Sequence, residues 1–386
     1  MIERIVNGLV PKKHHIQLRD ATGHLHFEHC ITQDGFEAPY TITYHRHAPH
    51  RQVPIETRHG WSGREAADVK GLRKRHFLSQ NIEQSKLSTL DGRLPILFNA
   101  DITLAIAKPG AEDGAYLINA DGDDLFYIHQ GGGTLRTLMG DVEFGEGDYV
   151  YMPRGVLHRF IPKPGVAQWW LDIECRGGAH IPRQWRNGVG QLRMDAPYCH
   201  RDFRLPKFVG PLDEGIRETV VKRGDVFHGF TTKESPLDVV GWDGTVYPWA
   251  FNILDFQPRV GLTHLPPTWH GTFAARGALI CSFVPRPTDF HPEAIPCPYP
   301  HSSVDVDEFI FYCKGNFTSR KGVSPGSMSY HPAGIPHGPH PGSYEASIGH
   351  KETNELAVML DCALPLQPTV FAQSVEDPNY QQSFIP

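Results

Sequence analysis

The sequence predicts an all-β protein built from two repeated sandwich- or barrel-like units. Three observations lead there. Short runs rich in aromatic and β-branched residues recur along the chain, such as Asp124–His129 (DLFYIH), Asp148–Met152 (DYVYM) and Glu308–Cys313 (EFIFYC). Gly, Pro and Asp turn signals separate them, which is the pattern of sandwiches and barrels. The 386 residues include 38 glycines and 33 prolines alongside 11% aromatics, so the excess of breakers reads as tight turns and not as disorder. Finally, one motif occurs twice. Asp124-x6-Gly131 precedes Gly147-x5-Pro153-x-Gly155-x2-His158, and Glu308-x6-Gly315 precedes Gly326-x5-Pro332-x-Gly334-x2-His337. Acid, glycine, turn, proline, glycine and histidine return in one order, as expected of a duplicated structural unit.

The elements follow in chain order. The charged stretch Arg64–Ser79 is expected to form a short surface helix. Strands are expected at Asp124–His129, Thr134–Leu138, Asp148–Met152 and Trp169–Ile173 in the first half. Ala250–Leu254, Leu279–Val284, Glu308–Cys313 and Leu356–Leu360 supply those of the second. Residues 206–224 read as the connection, which sets the division near 210. Residues 1–210 then form an N-terminal region with a degenerate, metal-free barrel, and 211–386 form the catalytic barrel.

Composition narrows the function. The apolar fraction of 40% and charged fraction of 21% are those of an ordinary globular protein. A net charge of −6 argues against a nucleic-acid or anionic-membrane surface. No apolar run is long enough to span a bilayer, and the opening residues MIERIVNGLVPKKHH lack the apolar core of a signal peptide. The seven cysteines are scattered without a C-x2-C pair, which fits a reducing cytoplasm better than a disulfide framework.

The chemistry concentrates in the second copy of the repeat. His301 stands seven residues before Glu308, and His337 closes the motif. Two imidazoles and one carboxylate on one face leave open positions on a metal, and this set without a thiolate points first to Fe(II), with Mn(II) and Zn(II) also open. In the first copy Leu117 stands where His301 does in the second, so Asp124 and His158 lack a third ligand. Along the Glu308 strand, alternation places Ile310 and Tyr312 on the same face as the acid. The pairs His24-x-His26 and His45-x-His47 have no acid at the matching spacing and read as surface or structural histidines. His340, in His337-Gly-Pro-His340, is near enough in sequence to reach the site.

The repeated motif resembles that of the cupin superfamily, which implies two small jelly-roll barrels, so the chain looks like a bicupin. Across most of its length it also resembles the homogentisate 1,2-dioxygenase family. The likeness is carried by Asn119–Asp123 (NADGD), Arg201–Pro206 (RDFRLP), Pro236–Asn252, Leu265–Trp269 (LPPTW), Tyr299–Phe309 and Ile335–Pro339 (IPHGP). It implies Fe(II) on His301, Glu308 and His337, with O2 and a dihydroxy aromatic acid as reactants. The implied reaction opens the ring of 2,5-dihydroxyphenylacetate to maleylacetoacetate in aromatic amino acid catabolism. A trimer or hexamer is implied as well. The family's Trp-His-Gly base position reads Trp242-Asp243-Gly244 here, so Asp243 or His331, or else His270, is the expected proton acceptor. Phe317 takes the place of a family tyrosine. Tyr299, His270, Phe317 and His340 are the expected substrate contacts, and Ala274–Pro298 is expected to remodel the pocket mouth. Alternatives that stay open are a gentisate-like hydroquinone substrate, a non-redox Zn or Mn isomerase, and a non-catalytic storage or binding cupin.

Overall fold

The computed structural model describes residues 2–385 apart from 38, 57, 59, 62 and 318. Strands dominate, and the α-helices among the described residues are three single turns. No described helix is long and apolar enough to cross a membrane. All seven cysteines are free.

Two large sheets carry the repeat. One runs, in spatial order, Phe203–Arg204, Trp249–Asn252, Asp148–Met152, Asp123–Gln130, Trp169–Cys175, Ile102–Ala107, Arg93–Phe98 and Gln367–Pro368. The other runs Ala179–His180, Gly271–Ala275, Ala278–Phe283, Leu356–Cys362, Asp307–Lys314, Ser327–His331 and Arg75–Leu78. Alternation along the strands sorts the side chains. Phe309 and Phe311 enter the main core with Val358 and Leu360. Ile310 and Tyr312 form a separate inner cluster with Cys281, Phe317, Ala357 and Met359. The two barrels meet through the outward set. Tyr127 packs on Phe311 with ring centroids 6.2 Å apart, and the Tyr149 hydroxyl and Ser282 Oγ lie 2.9 Å apart.

The repeat is structural to the level of single hydrogen bonds. Asp123 precedes the first acid and Asp307 the second. Tyr151 donates to Asp123 Oδ2 at 2.8 Å, and Tyr330 donates to Asp307 Oδ2 at 2.8 Å. The Arg154 N–H donates to Asp123 Oδ1 at 2.9 Å, and the Ala333 N–H to Asp307 Oδ1 at 2.7 Å. Each clamp fixes the Pro-x-Gly turn. Gly155 and Gly334 then reverse the chain at φ 81° and 82°, a region L-residues seldom adopt. His158 pairs in register with Leu117, as His337 does with His301.

The first barrel holds protein cations where the second gathers metal-ligand donors. Arg93 lies 2.9 Å from Asp172 and 3.3 Å from Asp124, with its guanidinium 4.2 Å from the Trp61 ring. The Lys222 Nζ donates to Glu174 at 2.6 Å and to Asp121 at 2.7 Å. Buried carboxylates need paired charge, and these two side chains provide it.

Two expectations are corrected. Arg64–Ser79 holds no α-helix. Its end, Arg75–Leu78, is a strand that pairs with Ser327–His331 and extends the second sheet. Its charge reads as surface but is neutralised internally: Arg73 and Arg75 contact Glu376 at 2.9 and 2.7 Å. The division also falls later than 210. Thr219–Arg223 pairs with Tyr116–Asn119, and Trp249–Asn252 pairs with Asp148–Met152, so these two strands beyond 210 belong by pairing to the first body. Short connecting strands are legible in a sequence, but their distant sheet partners are not.

Candidate metal centre

Glu308 projects from a central strand, His337 follows the Pro332–Gly334 turn, and His301 lies in the loop before the strand. Paired backbone hydrogen bonds tie the two histidines: each N–H donates to the other's carbonyl at 2.8 Å. The tautomer of each ring is set by the carbonyl two residues earlier. His301 Nδ1–H donates to Tyr299 O at 3.0 Å, and His337 Nδ1–H to Ile335 O at 3.3 Å. Both Nε2 atoms are thereby turned toward Glu308 Oε2, at 4.0 Å from His301 and 3.6 Å from His337.

The donor atoms of the three residues all lie within 4.8 Å of one another, and they form the one such group among the described residues. His337 Nε2 is buried and has no hydrogen-bond partner. A partnerless buried nitrogen is costly, and a divalent cation bound at about 2.1 Å to His and carboxylate donors relieves it. The residues therefore fit the metal expected from their spacing.

Glu308 is prepared as an anion. Burial alone would push its carboxyl up, but the hydrogen bond from His331 and the nearby ring of His337 outweigh burial and hold it well below the usual range. His331 Nδ1–H donates to Glu308 Oε1 at 2.6 Å, and His331 Nε2 accepts from the Tyr380 hydroxyl at 3.2 Å. The His331 ring stacks on that of His337 at 4.8 Å. Burial holds His331 down to about 4, so it is neutral.

A pocket of about 130 Å³ opens over this centre. Its wall includes Ile310, Tyr312, Phe317 and Met359, with His301 and Glu308 at the polar end. Arg286, Asp289, Pro296 and Pro298, from the stretch before the metal strand, also line the pocket. His270 also lines it, its ring tilted against that of Phe283 at 4.9 Å, with Nδ1 buried and partnerless. Burial, helped by Arg286 and His264, pushes its pKa down to about 3.

The remaining expected residues are placed differently. Asp243 lies on another sheet, paired with Ile5–Gly8 and Tyr40–His45, and contacts Arg4 at 2.6 Å. It does not line the pocket within the chain. His331 is not a base open to substrate, because both ring nitrogens are engaged behind Glu308. His340 points away, stacked on Phe384 at 4.0 Å and sharing a hydrogen bond with Ser383 at 2.8 Å. Tyr299 contributes its carbonyl to His301, while its ring, 51% exposed, packs edge-on against His264. Outside the centre, His45 and His47 share Asp238 at 2.7 and 3.0 Å, a structural clamp in keeping with their reading.

Two residues of the site were not anticipated. Asp361 stands directly across from Glu308, and burial followed by Glu308 pushes its carboxyl up to about 7. The repeat held the signal: Glu174 is the matching residue across from Asp124, and each is followed by a cysteine. Arg320, with a side chain 6% exposed, lines the pocket 3.9 Å from Glu308.

Comparison with known proteins agrees with this geometry. Residues 102–253 match the family model described as Homogentisate 1,2-dioxygenase N-terminal. A Saccharolobus solfataricus protein named "Putative dioxygenase" is 32% identical over 98% of this chain and 97% of its own length. The homogentisate 1,2-dioxygenase of Bradyrhizobium diazoefficiens is 28% identical over 67% of this chain. The match spans only 59% of that relative's length. Among solved structures, a cupin 2 conserved barrel domain protein from Leptotrichia buccalis aligns with TM-score 0.37 and 11% identity, covering 77% of this chain and all of its own. At that TM-score the bicupin description rests on this chain's own strand pairing and repeated clamps. Taken with the near full-length relative and the duplicated barrel, the matched N-terminal model shows that the chain belongs to the homogentisate 1,2-dioxygenase family of oxygenases.

Proposed function

We propose that the protein is an Fe(II)-dependent, extradiol-type ring-cleavage dioxygenase acting on homogentisate to give maleylacetoacetate. The observation that carries this reading is the donor trio at the polar end of an apolar pocket, with His337 Nε2 left without a protein partner. Iron held by His301, Glu308 and His337 supplies the electron-transfer chemistry that O2 needs and acidifies a coordinated phenol.

The protein's own groups do the rest. Ile310, Met359 and Phe317 give an aromatic ring an apolar wall that excludes water. His331 keeps Glu308 anionic and oriented. Of the three candidate proton acceptors, His270 is the one on the pocket wall, and its neutral imidazole takes the hydrogen bond of a substrate hydroxyl. Both atoms of O2 enter the product, with one ring C–C bond broken and two C–O bonds formed, so no further reductant is needed.

A second substrate, a gentisate-like hydroquinone acid, is favoured by one observation. Phe317 lines the pocket and offers no hydroxyl where the family resemblance places a tyrosine. The test is O2 uptake by anaerobically Fe(II)-loaded protein over a panel of hydroquinone acids. Uptake with 2,5-dihydroxyphenylacetate, abolished in His301→Ala, supports the reading. Uptake no greater than that of His301→Ala across the whole panel refutes it.

A further inference from the structure

Three arginines line the pocket, and two of them have an obvious neutraliser. Arg286 donates to Glu355 at 2.8 Å. His264 faces Asp289 at 3.5 Å. Arg259 lies against the rings of Trp185 and Trp269 and near Asp195. Arg320 is the exception. Its nearest carboxylate is Glu308 at 3.9 Å, beyond hydrogen-bond distance, and Glu308 already serves His331 and the ligand set. Nη1 donates to the carbonyls of Gly338 at 2.6 Å and Ser319 at 3.4 Å, while Nε is buried and partnerless. Tyr312 adds a neutral phenol beside it.

A buried guanidinium without its own counter-ion is expensive, and its planar fork matches a carboxylate. A cation bound to the trio raises the positive charge of this end further, so an incoming dianion is favoured over a neutral ring.

We propose that Arg320 is the receptor for the substrate's carboxylate. This rests on the dioxygenase reading of the same pocket and deepens it. The position of Arg320 suits that role. It bonds the carbonyl of Gly338, the residue after His337, and it faces Glu308, so it belongs to the layer of the metal ligands and not to the mouth. An anion on Arg320 therefore lies beside the ligand trio.

The test is ligand binding without turnover, by calorimetry on Zn(II)-loaded protein. The probes are 2,5-dihydroxyphenylacetate, its methyl ester, 2,5-dihydroxybenzoate, 3,4-dihydroxyphenylacetate and hydroquinone. In the wild type, 2,5-dihydroxyphenylacetate is expected to bind at least tenfold more tightly than its ester. Arg320→Met is expected to remove that advantage while changing hydroquinone affinity less than threefold, and Arg320→Lys to restore part of it. Equal affinity for acid and ester in the wild type overturns the proposal whether or not any variant folds. So does a loss in Arg320→Met that is as large for hydroquinone as for the acids, since that marks a residue that merely orients Glu308. Failure of every probe to bind wild type takes down the dioxygenase reading itself.

Discussion

Replacing His331 by Phe isolates one hydrogen bond in the metal centre. The aromatic ring can keep the stack beneath His337, seen at 4.8 Å and 13° between planes, but the Nδ1–H donor to Glu308 Oε1 is lost. A 2.6 Å contact from an imidazole N–H to a carboxylate is charge-assisted, and such bonds contribute roughly 1.5–3 kcal/mol. At about 1.4 kcal/mol per decade, that predicts metal binding weakened about tenfold to a hundredfold, the range expected for outer partners of metal ligands. Competition for Zn(II) or Co(II) against a chromophoric chelator reads the dissociation constant directly. His331→Gln, whose amide retains a donor, is expected to lie between Phe and wild type. A His331→Phe protein that binds metal within threefold of wild type refutes the argument that this bond prepares Glu308.

Other outcomes follow from the same structure. His337→Ala and His301→Ala are each expected to lower metal content of the purified protein from about one per chain to near zero, measured by elemental analysis, with little change in far-UV circular dichroism. Arg93→Met leaves Asp124 and Asp172 buried without their cation and is expected to destabilise the fold by roughly 3–5 kcal/mol. Adding Asp124→Asn and Asp172→Asn is expected to recover part of that loss in thermal unfolding. Burial would raise the Glu214 carboxyl, but hydrogen bonds from Arg159, Tyr116 and Arg136 hold it down to about 2. Its contribution, of order 2 kcal/mol after solvent screening, is present above its unfolded value of about 4.5 and is lost as pH falls toward 2. The stability gap between wild type and Glu214→Gln is therefore expected to shrink on going from pH 7 to pH 3.

What was legible in the sequence is what local spacing determines. His301, Glu308 and His337 are separated by turns whose glycines and prolines set each ligand's direction, so their meeting follows from the strand and turn pattern. The replacement of a histidine by Leu117 was equally readable. The rest depends on distant partners. Asp243 sits in a strand, but which sheet that strand joins is decided by Ile5–Gly8 and Tyr40–His45. His340 follows His337 by one short turn, yet the C-terminal residues Tyr380 and Phe384 draw its ring away. His331 is adjacent to the clamp turn, and strand pairing brings it opposite Glu308 on the same inner face. Arg320 lies in a polar stretch where a charged residue has no periodic signature, so only the packed pocket shows that its guanidinium is buried.

The three ligands are not equally sheltered. The His337 and Glu308 side chains are 1% and 7% exposed, whereas His301 is 31% exposed and comes from a loop instead of a strand. The centre therefore has a hinged side and a fixed side. Metal exchange is expected to begin with release of His301 and parting of its two backbone bonds to His337, while Glu308 and His337 still hold the ion. Equilibrium affinity is then governed by the buried pair and their supports, and the lifetime of the bound metal by the loop. Substitutions in residues 299–305 are a way to alter how fast the protein loads or loses its ion without greatly changing how tightly it finally holds it.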